Sequence, residues 1–392
     1  MKKIIPYGRQ SITDDDIKAV TETLQSDFLT QGSKVPEFES AFAEYVDAKY
    51  AVAVSNGTAA LHLSALALGV SSNDNVIVPP ITFAASANCI RYCSGNVEFC
   101  DIHKENFLID IEKLKSILQS KPLGYFKGIV PVDYAGYPIN GEKLKKIADD
   151  YGLWIIEDAC HAPGAYFIDS TGKKQKTGNG MFADLTCFSF HPVKHITTGE
   201  GGMITTNSKE LYEKLLLLRT HGITKNSDRL HENHGGWYYE MQELGYNYRL
   251  TDFQAALGIS QLKRSDKGLQ RRQEIARIYD DAFRTTKEII IPKVQDDVFH
   301  AFHLYVIQAE NRLELYEHLK RHNIFSQVHY IPVHLMPYYK QLGWKTGDFR
   351  VAERFYDHCL SLPMYPGLTE EEQEYVIEKV KEVVRNEDAI YK

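Results

Sequence analysis

Three short stretches of the sequence carry residue types that act on small molecules. The first, Ser55–Thr58, is a serine–asparagine–glycine–threonine run between an apolar segment and a helical pattern. Glycine lets the backbone approach a ligand closely, and a helix N-terminus presents free N–H groups with partial positive charge. The run is compatible with a phosphate-binding turn, but taken alone it is a weak signal and fits a plain turn with an N-capping residue better.

The second stretch, Ile155–His161, ends an apolar run with two carboxylates. Glu157 and Asp158 stand at the predicted strand end, and His161 follows three residues after Asp158. An acid beside a ligand crevice can hold a cationic ring nitrogen. A surface acid pair with a structural histidine is an equally good reading of this stretch taken alone.

The third stretch brings a serine and a lysine to the end of another apolar run. Ser189 and Lys194 precede a glycine-rich loop, Thr197–Gly202. A lysine whose pKa is lowered acts as an amine nucleophile, although most lysines are simply exposed. The flanking serine and the glycine-rich loop favour a functional lysine here.

Together the three stretches fit one cofactor. A phosphate seat, an acid for a pyridinium nitrogen and a reactive amine are what pyridoxal 5'-phosphate (PLP) requires. Phe83 follows a further strand end, after Pro79 and Pro80, and could stack on the cofactor ring. A core phenylalanine is the alternative for that residue.

These stretches need elements that bring strand ends together. Short apolar runs alternate with helical patterns, which predicts a mostly parallel sheet covered by helices on both faces. Ligands bind beyond the carboxyl ends of such strands. The predicted strands are Tyr50–Val54, Asn75–Val78, Gly128–Val132, Leu153–Glu157 and Leu185–Phe190, and the helical patterns between them include Thr58–Leu68 and Asn140–Tyr151.

The length of 392 residues exceeds one ordinary core, so two domains are expected. A long amphipathic helix over Gln254–Gln273 leads out of the first. We predict a large PLP-binding domain over residues 1–255 and a small C-terminal α/β domain, with the connecting helix, over residues 256–392. The polar run Asp169–Lys174 is interpreted as a turn inside the large domain, and Glu370–Asn386 as a charged, solvent-facing helix.

Composition narrows the class of protein. Hydrophobic residues at 43% and charged residues at 25% are typical of a globular chain and exclude a wholly disordered or collagen-like one. A net charge of −7 argues against nucleic acid as a partner, while local amides can still bind an anionic ligand. No apolar run is long enough to span a membrane, and no signal peptide precedes Tyr7. Six cysteines without a CxxC pair predict free thiols in a cytoplasmic protein and no metal site.

With these motifs the chain resembles the sugar-nucleotide aminotransferases of aspartate-aminotransferase fold type I. Within that family it most resembles the transaminases of pseudaminic acid biosynthesis. The segments that carry the family resemblance are Leu29–Gly32, Ser55–Leu61, Glu157–Ala159, Ser189–Lys194, Gly199–Gly202 and Gly245–Arg249. Those that carry the narrower resemblance are Val132–Gly136, His191–Gly202, Trp237–Asp252 and Val328–Pro332.

The resemblance implies the PLP-dependent transferase fold type I and a role for each matching residue. Lys194 would bind the aldehyde of PLP covalently, and Asp158 would keep its ring nitrogen protonated. Asn247 would reach the phosphate in the neighbouring subunit's site, which makes the enzyme a homodimer with shared active sites. The other cofactor contacts implied are Gly57, Thr58, Phe83, His161 and Ser189.

The resemblance also implies a reaction and its partners. L-Glutamate would donate an amino group to C4 of a UDP-4-keto-6-deoxy-N-acetylhexosamine, UDP-2-acetamido-2,6-dideoxy-beta-L-arabino-hexos-4-ulose. The product would be UDP-4-amino-4,6-dideoxy-N-acetyl-beta-L-altrosamine, for pseudaminic acid biosynthesis. The residues that match substrate-contacting regions are Tyr7, Asp27, Phe28, Leu29, Thr30, His329 and Tyr330.

Three alternatives stay open at this point. The same transamination could act on another 4-keto or 3-keto nucleotide sugar, such as the D-xylo epimer of a bacillosamine-type pathway. A cofactor-binding regulator would bind PLP without turnover. Some relatives are sugar 3-dehydratases with histidine in place of the lysine; here His195 follows Lys194, but Ser189 and the glycine loop align Lys194 with the lysine position, which favours transamination.

Overall fold

The computed structural model describes residues 4–390 as an alternation of strands and helices. The strands are β1 (Ile5–Pro6), β2 (Tyr50–Val54), β3 (Asn75–Val78), β4 (Asn96–Phe99), β5 (Phe126–Ile129), β6 (Trp154–Asp158), β7 (Tyr166–Ile168), β8 (Lys174–Lys176), β9 (Leu185–Ser189), β10 (Gly202–Thr206), β11 (Ile223–Thr224), β12 (Glu240–Met241), β13 (Ile289–Ile290), β14 (Val298–Phe299), β15 (Tyr305–Ala309), β16 (Ile324–Phe325) and β17 (Cys359–Leu362). The helices are α1 (Asp14–Leu24), α2 (Lys34–Val46), α3 (Gly57–Ala67), α4 (Ala85–Tyr92), α5 (Ile111–Gln119), α6 (Gly141–Tyr151), α7 (Lys209–Arg219), α8 (Asp252–Leu262), α9 (Ser265–Phe283), α10 (Arg312–Arg321), α11 (Pro337–Lys340), α12 (Arg350–His358) and α13 (Glu370–Ile390).

A seven-stranded sheet forms the centre, in the order β2-β10-β9-β6-β5-β3-β4. The pairs β4/β3, β3/β5, β5/β6 and β6/β9 are parallel, and β10 runs antiparallel to both of its neighbours. The prediction of a mostly parallel sheet flanked by helices is therefore confirmed. The parallel strands point their carboxyl ends to one edge, where Asp158 and Ser189 close β6 and β9.

Apolar runs form these strands because both faces of the sheet are covered. Val76, Ile77 and Val78 of β3 and Ile155 and Ile156 of β6 are almost wholly buried. The helix that follows β2 is buried nearly all round, from Ala59 to Ala65. Continuous rather than alternating apolar residues are the pattern expected of strands covered on two sides.

The C-terminal third contributes a smaller sheet, β13-β15-β17, packed with helices α9, α10 and α13. The N-terminal strand β1 joins this part by pairing in parallel with β16. The main apolar core also includes residues of the C-terminal third, such as Leu304 and Phe355. The division of the chain at residue 255 stays a prediction.

Two sequence predictions for helices are wrong in part. The long helix expected over Gln254–Gln273 is two helices, α8 and α9, because Arg264 leaves the helical conformation at φ −119°. Its guanidinium donates to both carboxylate oxygens of Asp16, at 2.7 and 2.6 Å, which ties this break to α1.

The second correction concerns the C-terminal helix, expected to be a solvent-facing charged element. It spans Glu370–Ile390, and one face of it is buried in the smaller core through Val376, Val380 and Val383. The spacing of these valines, four and three residues, places them on one helix face. Only the opposite face fits the prediction.

Other local predictions are confirmed with small shifts at element ends. The polar run Asp169–Lys174 forms the turn of the hairpin β7–β8. All six cysteines are free, and Cys89, Cys100, Cys187 and Cys359 are buried. Within residues 4–390, no helix is long and apolar enough to cross a membrane.

Candidate active site

A cavity of about 660 Å³ opens at the edge where the parallel strands end. Seven of the predicted cofactor contacts line it, together with three of the predicted substrate contacts. The seven are Gly57, Thr58, Phe83, Asp158, His161, Ser189 and Lys194, and the three are Tyr7, His329 and Tyr330. The structure thus brings together, in one chain, most of the residues that sequence motifs single out.

The start of helix α3 forms one end of the cavity. Asn56 caps this helix by accepting the Ala59 N–H at its side-chain oxygen, 2.8 Å. The first-turn amides of Gly57 and Thr58 have no intrahelical acceptor by geometry, and they are the groups that bind anions at helix starts. A Cβ on Gly57 would lie 3.0 Å from the Cβ of Ser189, so glycine allows this serine to stand beside the helix start.

Asp158 lies at the end of β6 and is 5% exposed. One of its carboxylate oxygens accepts the Ser86 hydroxyl at 2.6 Å, and the other accepts the Cys160 N–H at 3.2 Å. These bonds fix the direction of the carboxylate in the cavity wall. A fixed, nearly buried carboxylate is the group that a cationic ring nitrogen needs.

Two more carboxyl groups, those of buried Asp133 and half-buried Glu157, lie next to Asp158 in the fold. Burial raises the pKa of Glu157 to about 7, and it raises the pKa of Asp133 well above its usual range. The Thr186 hydroxyl donates to Glu157 at 2.8 Å, and the Asp133 N–H donates to the Asp158 carbonyl at 3.0 Å. The pair therefore favours holding a proton at neutral pH, directly behind the strand end that carries Asp158.

Lys194 stands in a tight turn after β9, and its own N–H donates to the His191 carbonyl at 2.8 Å. Burial lowers the pKa of its amine to about 8, while Cys160 and Asp158 oppose part of this lowering. The lowered pKa gives this amine a larger neutral fraction at neutral pH than an exposed lysine has, and the neutral form is the nucleophile and proton acceptor. We expect no such lowering of the pKa for the amine of an exposed lysine.

Aromatic and imidazole rings form the wall opposite the helix start. The Ala135 N–H donates to His161 Nδ1 at 3.2 Å, so His161 Nε2 carries the proton and donates to the Tyr330 hydroxyl at 3.1 Å. Tyr7 packs against His329 with ring centroids 5.1 Å apart. Phe83, 61% exposed, lies 6.2 Å from the Tyr330 ring, so its face is available to a planar ligand.

This donor set fits PLP. Free amides at a helix start and the Ser189 hydroxyl suit its phosphate, and the Asp158 carboxylate suits its ring nitrogen. The Lys194 amine lies in the same cavity, and exposed Phe83 offers an aromatic face for the ring. The structure thus offers one group for each chemical feature of the cofactor.

Five predicted site residues lie outside this cavity. Asn247 is exposed, and its backbone pairs with Thr220. The segment Asp27, Phe28, Leu29 and Thr30 is exposed and pairs with the start of α8, where the Leu29 carbonyl accepts the Asp252 N–H. Within one chain these residues do not complete the site, and their roles stay predictions.

Several cavity residues are absent from the sequence predictions. Tyr92, Cys160, Glu200 and Tyr248 line the cavity, and His303 contacts Lys194 from the C-terminal third of the chain. His303 stands in the run Ala301–Leu304, which contains no motif of its own. Only the fold brings it to the lysine, so no local signal could have found it.

The sequence of the chain is similar to those of known aminotransferases. The sequence model of the DegT/DnrJ/EryC1/StrS aminotransferase family matches residues 10–381. The UDP-4-amino-4,6-dideoxy-N-acetyl-beta-L-altrosamine transaminase of Campylobacter jejuni is 39% identical over 96% of this chain and 99% of its own. The GDP-perosamine synthase of Escherichia coli O157:H7 is 35% identical over 97% of this chain and 98% of its own.

Two solved aminotransferase structures resemble this chain in fold, and one of them is in its PMP form. A putative sugar aminotransferase of Streptococcus pneumoniae, Spr1654, in its PMP form has a TM-score of 0.89 at 30% identity, over 99% of this chain and all of its own. Helicobacter pylori PseC, an aminotransferase of pseudaminic acid biosynthesis, has a TM-score of 0.87 at 32% identity, over 98% of this chain and all of its own.

Proposed function

Because this chain belongs to the DegT/DnrJ/EryC1/StrS aminotransferase family and uses PLP to aminate a nucleotide sugar, we propose its donor and its sugar. The donor is L-glutamate. The acceptor is UDP-2-acetamido-2,6-dideoxy-beta-L-arabino-hexos-4-ulose, aminated at C4. The product is UDP-4-amino-4,6-dideoxy-N-acetyl-beta-L-altrosamine, a precursor for pseudaminic acid.

One observation carries the assignment of amino transfer: the Lys194 amine shares a cavity with a fixed, nearly buried Asp158 carboxylate and a free helix start. PLP, when bound, supplies an electron sink for a carbanion at the amino-bearing carbon. Asp158 would hold a proton on the ring nitrogen of PLP. Lys194 Nζ would take the proton from the amino-bearing carbon of the donor and deliver it to C4′ of the cofactor, and a pKa of about 8 suits an amine that both accepts and releases a proton.

The rest of the cavity suits a sugar rather than a small amino acid alone. Tyr7, His329 and Tyr330 give it an aromatic and imidazole wall, which matches the segments that the family resemblance relates to the nucleotide sugar. About 660 Å³ lies in the range of cavities that enclose a ligand of this size. These residues are therefore the proposed sugar contacts.

The choice of a UDP sugar is supported by the comparisons. The relative named for UDP-altrosamine is 39% identical, and the relative named for GDP-perosamine is 35% identical. A GDP-linked 4-keto-6-deoxy sugar is therefore the second candidate. The D-xylo epimer of the UDP sugar is the third.

We also propose that the enzyme is a homodimer in the cytoplasm, with Asn247 reaching the partner's phosphate site. Exposed apolar side chains flank this residue, namely Trp237 at 75%, Met241 at 63% and Leu244 at 78% exposed. Phe28 and Leu29 are exposed as well, next to the start of α8. Exposed apolar patches of this kind mark protein interfaces.

A single-turnover experiment tests the donor and the sugar. The PLP-loaded enzyme is treated with L-glutamate until its yellow band is lost, and glutamate is then removed. The L-arabino UDP sugar, its D-xylo epimer and a GDP-4-keto-6-deoxyhexose are offered separately. We expect fast return of the band with the L-arabino sugar alone; fast return with only one of the other sugars overturns the sugar assignment, and a band that glutamate never bleaches overturns the donor.

A further inference from the structure

His303 lies against the amine that the reaction depends on. Its Nε2 is 3.5 Å from Lys194 Nζ, at the outer limit of a hydrogen bond. The side chain is 3% exposed, and it comes from the run that follows β14, more than a hundred residues after the lysine. Neither the motifs nor the family resemblance assigns it a role.

The chemistry of the ring defines what the contact can do. Burial and the nearby Lys194 amine lower the pKa of His303 well below its usual range, so the ring is neutral. Its Nδ1 is buried and has no partner among residues 4–390. A protonated lysine can only donate, so Nε2 must then be the acceptor and Nδ1 must carry the hydrogen.

The backbone around His303 is pinned from two sides. The buried Arg272 guanidinium donates to the carbonyls of Phe302 at 3.0 Å, His303 at 3.2 Å and Met364 at 3.0 Å. On the other side, Gly136 has φ +100°, and a Cβ there would lie 3.0 Å from the His303 nitrogen. This glycine lets the run lie against the 3₁₀ turn after β5, so the ring has little freedom to leave the lysine.

The surrounding rings hold the imidazole plane as well. The centroid of His161 is 4.4 Å from that of His303, and the centroid of His195 is 5.7 Å away. His195 bonds to the Ala301 carbonyl at 2.9 Å rather than to the lysine. Among the neighbouring imidazoles, only His303 has a hydrogen-bond contact with the Lys194 amine in the described residues.

We propose that His303 is a positioning residue for Lys194: its Nε2 accepts a hydrogen bond from the lysine amine and favours the protonated form that carries the transferred proton. This inference rests on amino transfer itself and is independent of which sugar is accepted. The effect is stabilisation of one protonation state by a fixed acceptor. The ionisable groups that face the amine, and that the test must keep constant, are Asp158, Cys160, His161, His195 and His329.

The test compares His303→Leu, which removes the acceptor, with His303→Gln, whose amide oxygen can replace it. His300→Gln is the matched control, because His300 is buried three residues before His303 and has no hydrogen bond to Lys194; the amide oxygen of the substituted residue can still accept the Phe302 N–H that His300 Nδ1 accepts at 2.8 Å. In the apoenzyme, the pKa of the Lys194 amine is read from the pH dependence of its labelling by acetic anhydride. In the loaded enzyme, the rate of bleaching by L-glutamate is measured over the same pH range.

We expect His303→Leu to lower the pKa of the Lys194 amine by roughly one unit and to slow bleaching roughly 10- to 100-fold. His303→Gln should recover most of both, and His300→Gln should move neither. An unchanged lysine pKa in His303→Leu overturns the inference, as does equal damage by all three variants.

If His303→Leu fails to fold, His303→Asn, which is too short to reach the amine, replaces it. Failure of glutamate to bleach the unsubstituted enzyme would refute the proposed donor instead, since the labelling of the apoenzyme does not depend on it.

Discussion

The two ends of the proposed active site are built in different ways. At the cofactor end, Gly57, Asp158 and Lys194 lie at the carboxyl ends of β2, β6 and β9 of one sheet, and one chain supplies all three. At the other end, which we call the partner-dependent end, Asn247 and the Asp27–Thr30 segment are exposed and lie outside the cavity. The first end is formed within one chain, whereas we expect the second to gain its proposed role from a partner subunit.

The two ends also differ in how far a local sequence pattern determines them. Residues at strand ends are placed by local patterns, because the ends of parallel strands meet at one edge. For exposed segments such as the one around Asn247, only the family resemblance suggests a role, and we propose that this role depends on assembly with a second subunit. Substitutions at the two ends should therefore inactivate different sites of a dimer. Mixing the two kinds of variant subunit should then restore part of the activity.

The largest effect is expected at the cofactor end, from Lys194→Ala. Losing the amine removes both the attachment of PLP and the proton carrier, and positioned proton transfer alone contributes about 10²- to 10⁴-fold. The bleaching rate with L-glutamate measures the loss. Lys209→Ala, on the exposed face of α7, is the control and should bleach normally. Full turnover by Lys194→Ala would show that this end is wrongly assigned.

A somewhat smaller loss is expected from Asp158→Asn. The amide oxygen can still accept the Cys160 N–H, and the amide NH2 can donate to the Ser86 hydroxyl, whose own hydrogen can turn to Thr82. The substitution removes the charge that keeps the ring nitrogen protonated. The bleaching rate should fall by about 10²- to 10³-fold, the usual effect of losing one fixed electrostatic partner. Asp149→Asn on α6, where the carboxylate is exposed, should leave the rate unchanged. Equal rates for both variants would contradict the role of Asp158.

The partner-dependent end is tested by mixing two inactive proteins. If Asn247 serves the partner's site, a dimer of one Lys194→Ala and one Asn247→Ala subunit contains one intact site. Random pairing then restores roughly a quarter of the activity of the unsubstituted enzyme. Separate refolding of each variant, followed by assay of the unmixed proteins, gives the baseline. No recovery on mixing would mean that Asn247 acts within its own chain or not at all.

The smallest effect concerns the buried acids behind Asp158. Burial raises the pKa of Glu157 to about 7, so the folded protein binds more protons than the unfolded chain between about pH 4.3 and 7. The stability from this group is present at acid pH and is lost as the pH rises through 7. Glu157→Gln should flatten this dependence by about 1 to 3 kcal/mol between pH 5 and 8.

Urea midpoints of the apoenzyme at pH 5, 6, 7 and 8 measure that change. Thr186 can still donate to the amide oxygen of the substituted residue, so the packing should survive. Glu112→Gln, whose side chain is 80% exposed on α5, is the control. Parallel curves for Glu157→Gln and the unsubstituted protein would show that Glu157 is ionised in the same way folded and unfolded.

Much of the fold and of the cofactor end could be predicted, because strand–helix alternation and strand-end motifs are local. Tyr50–Val54 and Asn75–Val78 are strands over the predicted residues. The break between α8 and α9 could not be predicted, since Arg264 leaves the helix to bind Asp16 on α1. The position of His303 next to Lys194 could not be predicted either, because it depends on the Arg272 and Gly136 contacts. The buried face of α13 is different: the valine spacing was present in the sequence and could have been read.

Chemical mapping of the modified lysine is the most direct test that Lys194 binds PLP covalently. The PLP-loaded enzyme is reduced with borohydride, digested, and searched by mass spectrometry for the peptide that carries a pyridoxyl group. We expect stoichiometric label on Lys194, and we expect prior treatment with L-glutamate to abolish it. A label on any other lysine, or a Lys194 peptide that stays unmodified while the protein holds PLP, would contradict it.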